Sequence, residues 1–255
     1  MRLLTLARDL RRRKARERQS LFVCEGVRAT EELLRSPLSI RGALAAPELY
    51  DAQGRAAAVV EALRARDITV LEVERRDFES AAETDTPQGI LAIAGIPHAE
   101  LDALPVDATK RLRLLVLDGI QDPGNAGTIL RTAAAFGATA TIALPGTVDL
   151  WNAKVVRSAM GAHFHHPPYA ATADALSAFR ARHHVALWAA DAAGDPLDPA
   201  CAPERLAIVV GNEGAGLSGA LRGEADKLVA LPISPAVESL NVSVAAGILL
   251  YELRP

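Results

Sequence analysis

Cysteine is scarce. Cys24 and Cys201 are the two in the chain, and they lie far apart without paired spacing, which argues against a disulfide framework and against a zinc site. Aromatic residues make up 4% of the chain, too few for base stacking to be the main mode of any nucleic-acid binding. A net charge of −3 gives no overall polycationic character. The longest apolar segment, VSVAAGILLY, is too short to span a bilayer, and the arginine-bearing N-terminal stretch has no continuous apolar core of a secretory signal. The expectation is a cytoplasmic protein with no membrane partner.

With half of its 255 residues hydrophobic and 23% charged, the chain reads as globular and long enough for two domains. Its charge is unevenly spread. RDLRRRKARER, from Arg8 to Arg18, holds seven basic residues against Asp9 and Glu17, which fits either a solvated helix face or an RNA contact. In HFHH, alternation would place His163 and His165 on one face of a strand, with no acidic or cysteine partner nearby, so a strand end is expected there and no metal.

Through Gly95, short apolar runs (LFVCE, GALAA, ITVLEV, GILAIAG) alternate with segments of helical spacing (VRATEELLR, RAAAVVEALRAR). IPHAELDALPVDATKR, broken by Pro97 and Pro105, reads as a linker. The expected organisation is therefore a domain over 1–96, a linker over 97–111 and a second domain over 112–255. In the second, LRLLVLD has the near-continuous apolar character of a strand buried on both faces of a parallel sheet. NAGTILRTAAAF, ATATIAL, WNAKVVRSAM, HVALWAAD, RLAIVVG, DKLVALPI and NVSVAAGILLYEL continue a strand and helix alternation, which predicts a parallel sheet covered by helices. Ligands of such sheets bind at the carboxyl ends of the strands.

Three loops at those ends carry unusual chemistry. In DPGNAG, Gly124 and Gly127 allow a tight turn and Asn125 can cap the following helix. Arg131, among Ile129, Leu130, Ala133 and Ala134, reads as buried, and its guanidinium can reach back over the loop, as an ion-pair partner or as a functional cation. In IVVGNEGAGLS the glycines at 211, 214 and 216 run G-x-x-G-x-G, the wrong order for a dinucleotide fingerprint, and no acidic partner completes one. A flat ligand could approach this backbone closely, with Glu213 beside it. In LPISPAVESLNVSVAAGI, Ser239 or Asn241 is positioned to cap the last helix.

Taken together, DPGNAGTILRTAAAFG, IVVGNEGAGLS and LPISPAVESLNVSVAAGILLYE, in this order and spacing, resemble the three motifs of the SpoU family of RNA ribose 2′-O-methyltransferases, within the SPOUT class. RRKARERQSLFVCEGVRATEELL and TPQGILAIAG are similar to that family's substrate-binding domain. Asp122 stands where many relatives have Asn. The resemblance implies an α/β fold: a C-terminal SPOUT parallel sheet with a trefoil knot, preceded by a small α/β domain that binds RNA. It implies S-adenosylmethionine as cofactor, held against Gly211, Leu231, Ile233, Leu240 and Leu144, with Gly211 kept small so that no side chain projects toward the ligand. It also implies methyl transfer to a ribose 2′-hydroxyl in ribosomal RNA. A tRNA substrate and a non-catalytic RNA-binding relative are the alternatives. Arg131, Asn125, Glu213, Ser239 and Asn241 would form the catalytic site, Arg131 gripping a phosphate and the others orienting it and the ribose. A homodimer packed through helices of the knot region is the expected assembly.

Overall fold

The structure, a computed structural model, describes residues 2–50, 54–97, 100–107 and 109–255; linker positions 98, 99 and 108 lie outside the described residues. The chain divides into two compact units. The first comprises Met1–His98 with Asp149–His165, the second Ala99–Val148 with His166–Pro255.

Unit 1 is built on strands β1 (Leu21–Glu25), β2 (Ile40–Ala45), β3 (Val70–Glu72) and β4 (Ile90–Gly95), in the order β1-β4-β2-β3. β4 pairs antiparallel with β1 and with β2, while β2 and β3 are parallel. The period-two pattern of the strands sorts their side chains onto two faces. Phe22, Cys24, Ala43, Ala45, Ile90, Ala92 and Ala94 belong to one apolar cluster, and Val23, Leu44, Leu91 and Ile93 to another. Helices α1 (Leu3–Asp9) and α5 (Arg75–Ala81) supply Leu6, Ala7, Phe78 and Ala81 to the second cluster; α3 (Val27–Arg35) and α4 (Arg55–Arg64) supply Val27, Leu33, Val59 and Leu63 to the first. α2 (Arg13–Gln19) lies between α1 and β1 in the chain.

In unit 2, strands β5 (Leu112–Asp118), β6 (Ala140–Ala143), β7 (Tyr169–Ala170), β8 (Ala186–Pro196), β9 (Arg205–Gly211) and β10 (Lys227–Ala230) form one parallel sheet in the order β10-β8-β9-β5-β6-β7. Every residue of β5 is buried, as its apolar run predicts. The linker is not a free spacer in this unit: Leu101 and Leu104 join its core. α6 (Pro123–Ala135) follows β5. After β6 the chain enters unit 1, forming α7 (Ala153–Ala159) and α8 (Ala162–His165), then returns for β7, α9 (Ala173–His183), α10 (Gly219–Glu224) and α11 (Val242–Glu252).

The 149–165 excursion is an integral part of the unit 1 core. Trp151 and Phe164 flank Phe22, with ring centroids 4.7 and 5.8 Å away. At the α7–α8 turn, Gly161 has φ +88°, and a Cβ there would stand 2.6 Å from Cβ of Glu32, so α3 and this turn meet at a distance that only glycine permits. The strand expected around His163 and His165 is instead the short helix α8: His163 is buried with Nε2 2.7 Å from the Leu150 carbonyl oxygen, and His165 is exposed. Tertiary packing decided the matter, because four residues carry too little periodicity to do so.

The basic run forms the end of α1, the turn after it and α2, and most of its charge is answered within unit 1. Arg8 pairs with Asp77 (2.7 Å), Arg12 and Arg18 with Asp9, and Arg13 with Glu17 (2.7 Å). Arg16 is buried; it donates to the Leu10 and Arg11 carbonyl oxygens and to Asp149, the last at 2.5 Å. A pair desolvated in this way stands because all three guanidinium nitrogens donate hydrogen bonds; removing one partner of such a pair typically costs about 3–5 kcal/mol. Arg16 therefore serves the fold.

Candidate functional site

The site begins with a register. Asp118, the last residue of β5, lies opposite Gly211, the last residue of β9, so the loops leaving these central strands start side by side. Asp118 is buried, and its carboxylate accepts from the Ser218 amide at 2.6 Å, tying the start of the first loop to the end of the second. Asn212 adds a second tie. Its Nδ2 donates to the Gly119 carbonyl oxygen (2.8 Å), and its Oδ1 accepts from the amides of Gly214 and Ala215.

Glu213 then links the second loop to the first helix turn of α6. Its carboxylate accepts from the amides of Gln121 (3.1 Å) and Asp122 (3.0 Å) and from Asn125 Nδ2 (3.1 Å). The third loop joins through Asn241, whose Nδ2 donates to Asn125 Oδ1 at 3.1 Å. Asn125 thus gives its hydrogen to one neighbour and its oxygen to another, which fixes the orientation of its amide. All three loops are stitched together by one chain of hydrogen bonds.

The capping expectation is half corrected. Asp122 caps α6, accepting from the Asn125 amide at 2.8 Å, and this frees the Asn125 side chain for the network. Asn241 caps α11, accepting from the Ser243 amide and hydroxyl. Ser239 is exposed in the turn before it. Arg131 is exposed as well, one turn beyond Gly127 and Thr128 on α6, whereas its apolar sequence neighbours Ile129, Leu130 and Ala133 are buried. The apparent burial in the sequence arose because helix geometry turns adjacent residues to different faces.

Of the five residues expected at a cofactor, Leu231 and Leu240 are half-buried, Ile233 is exposed and Leu144 is buried in the sheet core. Gly211 has a structural reason to be glycine. A Cβ there would lie 2.4–2.6 Å from the backbone of Gly216 and Leu217, so the constraint comes from the loop folding back on its own strand. The roles of Asp118 and Asn212, and the capping role of Asp122, are not evident from the sequence. A carboxylate ending a wholly apolar strand was the available signal for Asp118; Asn212 and Asp122 look like ordinary turn residues until their partners are known.

Burial pushes the Glu213 carboxyl upward, but the Gln121 and Asp122 amides, its own amide and the Asn125 side chain outweigh this and hold it below the usual carboxylate range. A depressed carboxyl contributes stability that is present above its unfolded-state value and is lost as pH falls through the native one. The exchange protection of the Gln121 and Asp122 amides, followed by NMR, should therefore persist through the usual carboxylate range and disappear below it. In Glu213→Gln both amides should exchange roughly three- to tenfold faster at neutral pH, since a neutral acceptor is weaker than a charged one. Unaltered exchange in that variant would show that Glu213 does not hold the loops.

Comparisons with known proteins bear on the family and the fold. Residues 113–251 match the SpoU rRNA Methylase family, and residues 5–92 match the MRM3-like substrate binding domain. The chain is 34% identical over 97% of its length to the Bacillus subtilis 23S rRNA (guanosine(2553)-2′-O)-methyltransferase RlmP, covering 94% of that protein. It is 33% identical over 81% of its length to the 23S rRNA (guanosine-2′-O-)-methyltransferase RlmB of Neisseria meningitidis, covering 86% of it. Among solved structures, an AdoMet-bound rRNA methyltransferase from Sinorhizobium meliloti superposes with a TM-score of 0.84 at 27% identity, over 99% of this chain and 94% of that one. A putative RNA methyltransferase of the TrmH family from Porphyromonas gingivalis gives 0.79 at 32% identity, over 98% and 96%. With its fold, its three stitched loops and these relatives, the chain belongs to the SpoU rRNA methylase family and has the SPOUT methyltransferase fold.

Proposed function

We propose that this protein transfers a methyl group from S-adenosylmethionine to a ribose 2′-hydroxyl of ribosomal RNA, as the names of its 23S rRNA relatives suggest. The observation that supports this reading most is the joining of Asn125, Glu213 and Asn241 at the carboxyl edge of the sheet, with Arg131 exposed a turn further on.

The residues present suit the cofactor. Half-buried Leu231 and Leu240 and exposed Ile233 offer apolar side chains, and the second loop offers backbone, the mixture that an adenine ring uses. When bound, S-adenosylmethionine supplies a methyl on a sulfonium, whose departure as a neutral thioether needs no activation. What remains for the chain is positioning and the disposal of one proton. A guanidinium keeps its proton up to about pH 12 or above, so Arg131 is a poor base. It can grip an RNA phosphate and so set the 2′-hydroxyl in line, the proton leaving to that phosphate or to water as the carbon–oxygen bond forms. Asn125, Glu213 and Asn241 hold the loops, and Ser239 stands in the turn that leads into α11.

We further propose a homodimer. Val244, Ile248 and Tyr251 recur along α11 at the spacing of one helix face and are exposed, and exposed Ile233 and Val237 precede them. A face of this composition fits a second copy of the chain. Light scattering should give a particle of twice the 26.9 kDa chain mass, shifted toward the monomer in Ile248→Asp; a monomer at micromolar concentration would refute the assembly.

For the reaction, Arg131→Ala should keep cofactor affinity, read by calorimetry, while transfer to 23S rRNA falls by on the order of a hundredfold or more, because the interaction is made chiefly in the transition state. Near-normal turnover would make Arg131 a structural residue.

A further inference from the structure

Unit 1 contains a cleft of about 450 Å³ lined by Glu25, Gly26, Arg28, Ala29, Thr84, Thr86, Gln88, Arg157 and Met160, a volume typical of ligand sites. Two of these, Arg28 on α3 and Arg157 on α7, are exposed, and neither guanidinium group has an ion pair or hydrogen bond with the described residues. They differ in this from the basic run at the N-terminus, where five of the seven cations are paired to carboxylates.

The acceptors in the cleft wall are already taken. The buried Glu25 carboxylate accepts from the Glu83 amide at 2.9 Å with one oxygen and from the Thr84 hydroxyl with the other. Gln88 Oε1 accepts from the Val27 amide at 3.0 Å, which also satisfies the first amide of α3. What faces outward is a set of donors: two guanidinium groups, the Gln88 amide nitrogen and the Thr86 hydroxyl. With two arginines and one glutamate the lining carries a net charge of +1 (2 − 1). A surface of free donors and single positive charge suits an anion of single charge.

No aromatic ring lines the cleft. Phe22, Trp151 and Phe164 are used in the core of unit 1, so a base in the cleft has nothing to stack on. The half-exposed Met160 offers an apolar flank of the kind a ribose can rest against. We infer that this cleft seats one backbone phosphodiester of the RNA, clamped between Arg28 and Arg157. The inference rests on the RNA methyltransferase reading above. It also changes where RNA is held: Arg28 lies within the segment that matches a substrate-binding domain, but Arg157 comes from the segment that matches the methylase family. The 149–165 excursion thus completes the cleft as well as the core of unit 1.

The test is filter binding of deproteinised 23S rRNA across a salt series, with calorimetry of S-adenosylmethionine as a parallel readout. Losing one phosphate contact should reduce the slope of log affinity against log salt by roughly 0.7 to 0.9, and weaken binding about five- to tenfold near 0.1 M salt. The double variant Arg28→Gln/Arg157→Gln should show this with cofactor affinity intact. Arg28→Lys/Arg157→Lys should retain the slope, since a point charge suffices for a phosphate. Arg13→Gln/Arg18→Gln, which removes paired cations, should leave it close to wild type. Each single glutamine variant serves should the double one fail to fold. A wild-type slope in the glutamine variants overturns the assignment. So does a calorimetric signal for uridine 5′-monophosphate that those variants lose while their RNA slope stays unchanged, which would make the cleft a free-nucleotide site. If the wild-type protein itself binds no RNA, the proposed function falls, and this inference with it.

Discussion

The carboxylate of Glu213 is the interaction on which the candidate site depends. Segments that follow three different strand ends must meet: the start of α6, the second loop and the start of α11. The backbone amides of Gln121 and Asp122, just before α6, need acceptors, and Glu213 accepts from both and from the Asn125 side chain at once. Through Asn125 the same constraint reaches Asn241 and the start of α11. The arrangement requires the parallel register that sets Asp118 against Gly211, and it requires Gly211 itself, because a side chain there would push the second loop off its strand.

Much of the fold was legible in the sequence because the signals were long. The buried run LRLLVLD, the alternation of strands with amphipathic helices, and the order of the three glycine- and asparagine-bearing loops all follow from periodicity and composition. Decisions resting on which partner a side chain finds were not legible. Asp122 and Asn125 are both good capping residues, and the choice between them is made by Glu213, nearly ninety positions away. Arg16 reads like its basic neighbours until Asp149 appears beside it. HFHH alternates as a strand would, yet His163 and Phe164 are drawn into the core of unit 1 and the segment coils into α8.

The same distinction applies to charge. By count of arginines, the N-terminal run has the highest density of positive residues and fits either an RNA contact or a solvated face. Pairing empties most of that run of free charge, while two isolated arginines, far apart in sequence, face a shared cleft without a counterion among the described residues. Long-range attraction of a polyanion depends on charge left uncompensated, and a cation held by a neighbouring carboxylate contributes little to it. That Arg157 belongs to the excursion 149–165 gives this segment a consequence beyond packing.

The central claim is that this chain places a methyl group on a ribose hydroxyl of ribosomal RNA. The most direct measurement is incubation of the purified protein with methyl-labelled S-adenosylmethionine and unmodified 23S rRNA, followed by complete digestion to nucleosides and mass spectrometry. The account predicts label in a single 2′-O-methylnucleoside, strongly reduced when Arg131→Ala replaces the wild-type protein. Label on a base, or no label from RNA that the protein demonstrably binds, would contradict it.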